Sequence, residues 1–360
     1  MKKYVQHNLI IFALINVCFP LLSSENDWSL KPTTSHKNWF TRKINAFSQK
    51  MVTRHSYTHN SFEHIRDMAI LHLLPAPIAQ GTLYAQRENM KKFLLKNEEN
   101  ALEGVRQHFN IDQKEWSGIM SQVKKDHEFN LSEMRKDQNF NTYHDPAVNF
   151  VMPEIKNACK KYSINLKSLN IGTTSHPDAI AMAWSFSPTQ GFLWNTYNPG
   201  GINFNRELLF YKPLPAEYLN HVVLHELTHI MQGHNDRRFT ILNHQKICTP
   251  SRVLTDKNAY KKFKNYEDSI VNKNLIAAQE KTADTFLSCS DPEVAKINAH
   301  HAQNSTIDNG DGTVDIFGYP DNFNDILALN TNWETSQRIE KLQNRLKSIT
   351  NKIRQTIHLF

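Results

Sequence analysis

The clearest hydrophobic pattern in the chain lies between residues 216 and 233. Pro215 precedes this stretch and Gly233 stands where a helix would end. Apolar residues recur within it at the three- and four-residue intervals of one helix face. They are Leu219, Val222, Val223, Leu227 and Ile230. The pattern predicts an amphipathic helix whose apolar face is buried against the rest of the protein.

The same periodicity predicts further helices on both sides of this one. They cover residues 62–74, 84–109, 112–129, 147–162, 272–288 and 335–357. Short apolar runs predict strands at residues 166–171, 180–186 and 202–204, just before the central helix. Residues 246–266 are basic and contain Pro250, so we expect an irregular insertion there. Together these helices and strands predict an α+β fold that is mainly helical, with a small sheet before the central helix.

The first 24 residues have the pattern of a secretory signal peptide. Lys2 and Lys3 precede an apolar run at residues 9–22, and Ser23 and Ser24 follow it. The run is too short to span a bilayer comfortably. We therefore expect an exported protein, periplasmic or secreted if the source is bacterial, with no transmembrane span in the mature form. The predicted division is a signal peptide at 1–24, an accessory helical region at 25–144 and a domain at 145–360 that contains the central helix.

Charge and cysteine content restrict the partners. The formal net charge is +7, but basic residues are interspersed with acidic ones, which argues against a nucleic-acid-binding stripe. Association with acidic membrane surfaces stays open.

After signal removal Cys159, Cys248 and Cys289 remain, and their spacing fits neither a disulfide framework nor a CxxC metal site. We expect packed free thiols.

The central helix carries the chemistry, because it contains one HExxH pattern. His225 and His229 are four residues apart, so both imidazoles lie on one helical face and can converge on one ion. Glu226 lies about 100° further round the helix. It is therefore poorly placed as a ligand but well placed as a general base for a water beside the metal.

A third ligand is expected, because catalytic zinc sites usually have three protein ligands. Glu280 and Asp284 are again four residues apart within the predicted helix at 272–288. Glu280 would bind zinc, and Asp284 would accept a hydrogen bond from a ligand histidine and orient it. The alternative for these two acids is a solvated acidic face.

Two other histidine patterns near this set do not match a metal site. The metzincin pattern HExxHxxGxxH requires glycine at 232 and histidine at 235, whereas the chain has Gly233 and His234, each displaced by one residue. His221 shares the face of the HExxH histidines but lies about 12 Å along the axis from His229. It is expected at the surface or behind the ligands.

These motifs resemble the gluzincin metallopeptidases, most closely the family of HtpX and the CAAX prenyl-protein proteases, over residues 145–346. A later segment, 332–342, is similar to the family's His-Pro-x-x-x-x-Arg-Ile segment. Arg338 and Ile339 match it, whereas Asn332 and Trp333 replace His-Pro. The export signal places the chain nearer the soluble periplasmic branch. In that family an edge strand pairs with the substrate backbone, and residues 179–183 occupy the corresponding position.

The resemblance implies a zinc-dependent endopeptidase that acts on protein or peptide substrates outside the cytoplasm. One zinc ion would be held by His225, His229 and Glu280, and Glu226 would act as the base. The candidates for a transition-state helper are Arg338, His300, His301 and Tyr319. The alternative function is a non-catalytic, zinc-containing binding or chaperone-like protein on a protease scaffold.

Two further segments carry weaker expectations. The accessory region at 25–144 would be a shield over the cleft, a propeptide or a partner surface, and its His108, His127 and His144 are expected to be ordinary histidines. Residues 308–315 resemble a fragment of a calcium-binding loop but lack its alternating acids and closing glutamate. We expect a polar turn there.

Overall fold

The fold is that of a computed structural model, which describes residues 74–136, 143–175, 180–185, 200–206, 216–247, 256–304, 306–308, 314–316 and 322–357. The chain divides into two compact units. One contains Met90–Asn330, and the other contains Met1–Asn89 with Thr331–Phe360. Most of the described residues are helical, with a small three-stranded sheet, so the predicted α+β class is confirmed.

The helices and strands follow in chain order. They are α1 (Ala76–His108), α2 (Gln113–Arg135), α3 (Met152–Lys161), β1 (Leu169–Thr174), β2 (Ala181–Ser185), β3 (Gly200–Asn205), α4 (Ala216–Gln232), α5 (His234–His244), α6 (Lys257–Glu267), α7 (Ile270–Thr285), α8 (Pro292–Gln303), β4 (Thr306–Asp308), β5 (Val314–Ile316) and α9 (Phe323–Ile357). The central helix predicted from the hydrophobic pattern is α4, and the small sheet precedes it as expected.

The sheet places β2 at an edge. Its strand order is β1-β3-β2, with β1 parallel and β2 antiparallel to β3. Gly201 in β3 has a close neighbour, because a Cβ atom there would lie 2.6 Å from the Trp184 ring. Only glycine lets the Trp184 ring of β2 pack over β3 at this point.

The larger unit has two buried apolar clusters, one that includes α4 and one that includes α5. The apolar face of α4 packs with the sheet and α3, burying Val223 and Leu227 with Ile171, Ile202 and Ile155. A second cluster joins α1, α2, α5, α6 and α7, and its largest members include Trp116, Ile241, Tyr266 and Leu275. This cluster packs α2 and the part of α1 that follows Met90 against α5, α6 and α7.

The smaller unit contains the start of α1 and most of α9. Ala79 and Leu83 form a buried cluster with Ile339. The Arg87 guanidinium lies 3.7 Å from the centroid of the Trp333 ring and donates a hydrogen bond to Asn332. Asn332 and Trp333, which replace His-Pro in the resembled segment, therefore both contact Arg87 within this unit.

Three predicted elements are corrected by the structure. Residues 147–162 do not form one helix, because Pro146–Val148 is a 3-10 turn and α3 begins only at Met152. The strand predicted at 166–171 begins at Leu169, since Asn165 caps a 3-10 turn over Leu166–Ser168. Half of the predicted irregular insertion is α6, which starts where Asp256 caps two backbone N–H groups and which buries Ala259 and Tyr266.

Several predictions lie outside the described residues. These are the signal peptide, Cys248, Tyr319, most of the predicted helix at 62–74 and the central part of the calcium-like segment. The ends of that segment belong to β4 and β5, which pair antiparallel. Cys159 and Cys289 are buried free thiols, as expected, and burial raises the pKa of Cys159 to about 12. Within the described part of the chain, every helix is too short or too polar to cross a membrane.

Candidate metal centre

The two histidines of α4 meet on the side of the helix away from its buried apolar face. The Nε2 atoms of His225 and His229 lie 3.0 Å apart. Two imidazole nitrogens approach this closely only around a shared proton or a metal cation, because two bare lone pairs repel. The i, i+4 spacing of the pair thus produces the convergence that the sequence predicts.

Glu280 joins this pair from α7. Its Oε2 atom lies 2.9 Å from His225 Nε2, and its Oε1 atom lies 3.5 Å from His229 Nε2. The helix is positioned by Ser269, which caps its first turn, and by buried Leu275 and Ala283 on the face next to the core. The ligand atoms of His225, His229 and Glu280 all lie within 4.8 Å of one another, so the three residues could hold a metal ion.

The centre opens toward solvent on one side. The Glu280 side chain is 49% exposed, whereas those of His225 and His229 are 17% and 11% exposed. Two imidazoles and one carboxylate match the ligand types of catalytic zinc sites, which keep a fourth position for water or substrate. This donor set, which consists of His225, His229 and Glu280, therefore fits zinc in both ligand chemistry and accessibility.

Asp284 orients His225 from the next turn of α7. Its Oδ1 atom lies 2.8 Å from His225 Nδ1. Asn298 of α8 donates to the Asp284 backbone oxygen at 2.6 Å and lies 3.0 Å from His221 Nδ1. His221 is buried, so of the two positions expected for it the surface one is wrong.

The charges within the cluster reinforce one another. Burial alone would lower the pKa of His225, but its hydrogen bonds to the Asp284 and Glu280 carboxylates raise that pKa well above the ordinary value. Burial likewise opposes ionisation of Glu280, yet its hydrogen bonds to His225 and His229 hold its pKa well below the ordinary value. The carboxylates thus favour a positive charge where the imidazoles converge, and a bound metal cation would supply one.

Glu226 lies beside the donor set and contacts the edge strand. Its carboxylate is buried, which raises its pKa, and it accepts a hydrogen bond from the backbone N–H of Ala183 at 2.6 Å. Asn235 donates to the backbone oxygen of Ala183 at 2.9 Å. A substrate that paired with β2 at Ala183 would have to displace these two side chains.

Sequence reasoning missed the residues behind His229. The Nδ1 atom of His234 lies 2.8 Å from His229 Nδ1, and burial lowers the pKa of His234 well below its ordinary value. Asp236, in the same turn, contacts His127 and Asn130 of α2 and Ser185 of β2. His234 was visible in the sequence, but only as a displaced metzincin ligand.

The four candidate helper residues have different surroundings. His301 is buried and stacks on His221 with ring centroids 4.0 Å apart, and burial lowers its pKa to about 3. His300 is exposed. Arg338 is exposed and lies 4.0 Å from Glu334 in the smaller unit, and Tyr319 lies outside the described residues. Among the described residues, no hydrogen bond joins His300 or His301 to His225, His229 or Glu280.

Comparisons with protein-family models, with curated proteins and with solved structures gave no match to this chain.

Proposed function

We propose that this protein is a zinc-dependent endopeptidase that hydrolyses peptide bonds of protein substrates outside the cytoplasm. The observation that carries the proposal is the convergence of His225, His229 and Glu280 on one point, with the carboxylate of Glu226 beside it. His225, His229 and Glu280 would hold the ion. Zinc, when bound, supplies Lewis acidity for the attack of water on the scissile carbonyl.

The remaining chemistry is that of Glu226. Its carboxylate would accept a proton from the attacking water and then deliver it to the leaving amine nitrogen. Burial raises the pKa of Glu226 above its ordinary value, which makes its carboxylate a better proton acceptor than an exposed one. Ala183 fixes the carboxylate through its N–H group, which orients Glu226 before substrate arrives.

The test compares wild type with Glu226→Gln. Glutamine keeps a side-chain oxygen that can accept the Ala183 N–H but has no basicity, so the fold and the zinc content should be preserved. General-base catalysis contributes about 10²–10⁴-fold, and we expect a loss of that size in peptide cleavage. Glu128→Gln, on an exposed position of α2, is the matched control and should keep full activity.

Metal content is measured by mass spectrometry, and activity with a diverse peptide library. Glu280→Ala should lose zinc, because it removes one of three ligands. Cleavage that is equal in wild type and Glu226→Gln would refute the mechanism. Zinc bound by wild type without cleavage of any peptide would favour the non-catalytic alternative.

A further inference from the structure

His234 makes a contact that the proposed chemistry does not use. It begins α5, directly after Gly233, and its side chain is 1% exposed. Its Nδ1 atom lies 2.8 Å from the Nδ1 atom of His229, on the opposite side of that ring from the donor set. His234 therefore contacts the ring nitrogen of His229 that faces away from the donor set.

The proton positions follow from the geometry. Two ring nitrogens 2.8 Å apart share one proton, since one must donate and the other accept. When His229 presents the lone pair of Nε2 to a cation, its own proton is on Nδ1, and His234 Nδ1 accepts it. A neutral His234 then carries its proton on Nε2.

That Nε2 atom faces a buried acid. Among the described residues, the Nε2 atom of His234 has no hydrogen-bond partner. The nearest carboxylate oxygen is Glu98 Oε2, at 3.9 Å. Glu98 comes from α1 and is itself buried. It is held by the Arg237 guanidinium of α5 and by Gln279 Nε2 of α7 at 3.1 Å. The buried Nε2 atom of His234 thus lies 3.9 Å from an anchored carboxylate group.

We propose that His234 and Glu98 are positioning residues that hold His229 in the tautomer and ring orientation required for metal binding. This inference rests on the proposed function, because it assigns a role relative to the same metal centre. Carboxylate or carbonyl partners behind a ligand histidine fix its orientation and raise its basicity. Here the partner of His225 is the Asp284 carboxylate, whereas the partner of His229 is a second imidazole, that of His234, with the Glu98 carboxylate 3.9 Å beyond it.

The test uses the mature full-length protein and measures zinc affinity by competition with a chromophoric chelator. His234→Phe fills the site but offers no acceptor, and loss of such a partner typically weakens metal binding about 10–100-fold. His234→Asn places an amide oxygen near the position of Nδ1 and should restore affinity to within about threefold of wild type. His144→Phe, at a part-buried histidine that contacts the Leu169 backbone oxygen and no metal ligand, is the control and should bind zinc as wild type does.

A second measurement needs no variant that might misfold. Nitrogen-15 spectra of histidine-labelled, zinc-loaded wild type report the tautomer of each ring, and His234 should be protonated on Nε2. Protonation of His234 on Nδ1, or equal affinity of wild type and a folded His234→Phe, would overturn this inference while leaving the metal centre intact. Wild type that binds no zinc would instead refute the proposed function.

Discussion

Gly233 makes the turn that brings His234 behind His229, and its replacement gives a sharp stability test. It has a φ of +67°, the left-handed region that side chains disfavour. A Cβ atom built on it would lie 2.6 Å from Nδ1 and 2.7 Å from Cγ of the His127 ring. Gly233→Ala therefore meets both a conformational and a steric obstacle.

The cost can be worked from these contacts. Placing alanine in the left-handed region costs about 1–2 kcal/mol. The His127 ring must also move, which disturbs its hydrogen bonds to Asp236 Oδ2 at 3.0 Å and to the Met231 backbone oxygen at 2.9 Å. Each such bond contributes about 1 kcal/mol net, so Gly233→Ala should lower the free energy of unfolding by about 2–4 kcal/mol.

Gly118→Ala is the matched control. This glycine lies inside α2, and a Cβ atom there meets nothing within 4 Å. Alanine in a helix interior is favoured over glycine by roughly 0.5–1 kcal/mol, so this variant should be more stable than wild type. Urea unfolding of the metal-free proteins, followed by circular dichroism, measures both. If Gly233→Ala changed stability by less than about 0.5 kcal/mol, the size of an ordinary surface substitution, the account of this turn would be wrong.

Two further predictions concern acid stability and export. The pKa of His301 falls from 6.5 to about 3 on folding, so the unfolded chain takes up the proton first and stability is lost as the pH falls below 6.5. At pH 5 this loss is about 2 kcal/mol relative to neutral pH, and His301→Phe should lack it in urea unfolding; identical pH profiles would contradict the assignment. N-terminal sequencing of the mature protein should begin near Ser24 or Glu25, and an intact Met1 in a membrane fraction would indicate a signal anchor instead.

The parts of the site that lie within one helix could be predicted from the sequence. The spacing of His225 and His229, and that of Glu280 and Asp284, determines a shared face on any regular helix. Apolar periodicity identified both helices, because each has one buried face. The distance between the two pairs was not predictable, since it depends on how α4 and α7 pack.

What the sequence could not provide were partners from distant elements. Glu98 lies in α1 and has no motif around it, and its link to His234 depends on the packing of α1 against α5 and α7. The local corrections have another origin. Asp256 could have been identified as a helix cap, but a basic surface on α6 concealed the buried positions of Ala259 and Tyr266.

The contacts of residues 25–140 limit how one can test whether that segment inhibits activity. If residues 25–140 were a detachable propeptide, their removal should leave the metal centre intact. However, that segment contains Glu98, His127 and Asn130, and the last two contact the carboxylate of Asp236, which is 1% exposed. Stripping partners from a buried carboxylate costs about 3–5 kcal/mol, so an inactive deletion variant would report a damaged site. A better place to look for inhibition is Ala183. Glu226 and Asn235 form hydrogen bonds with its backbone groups, where a substrate strand would pair.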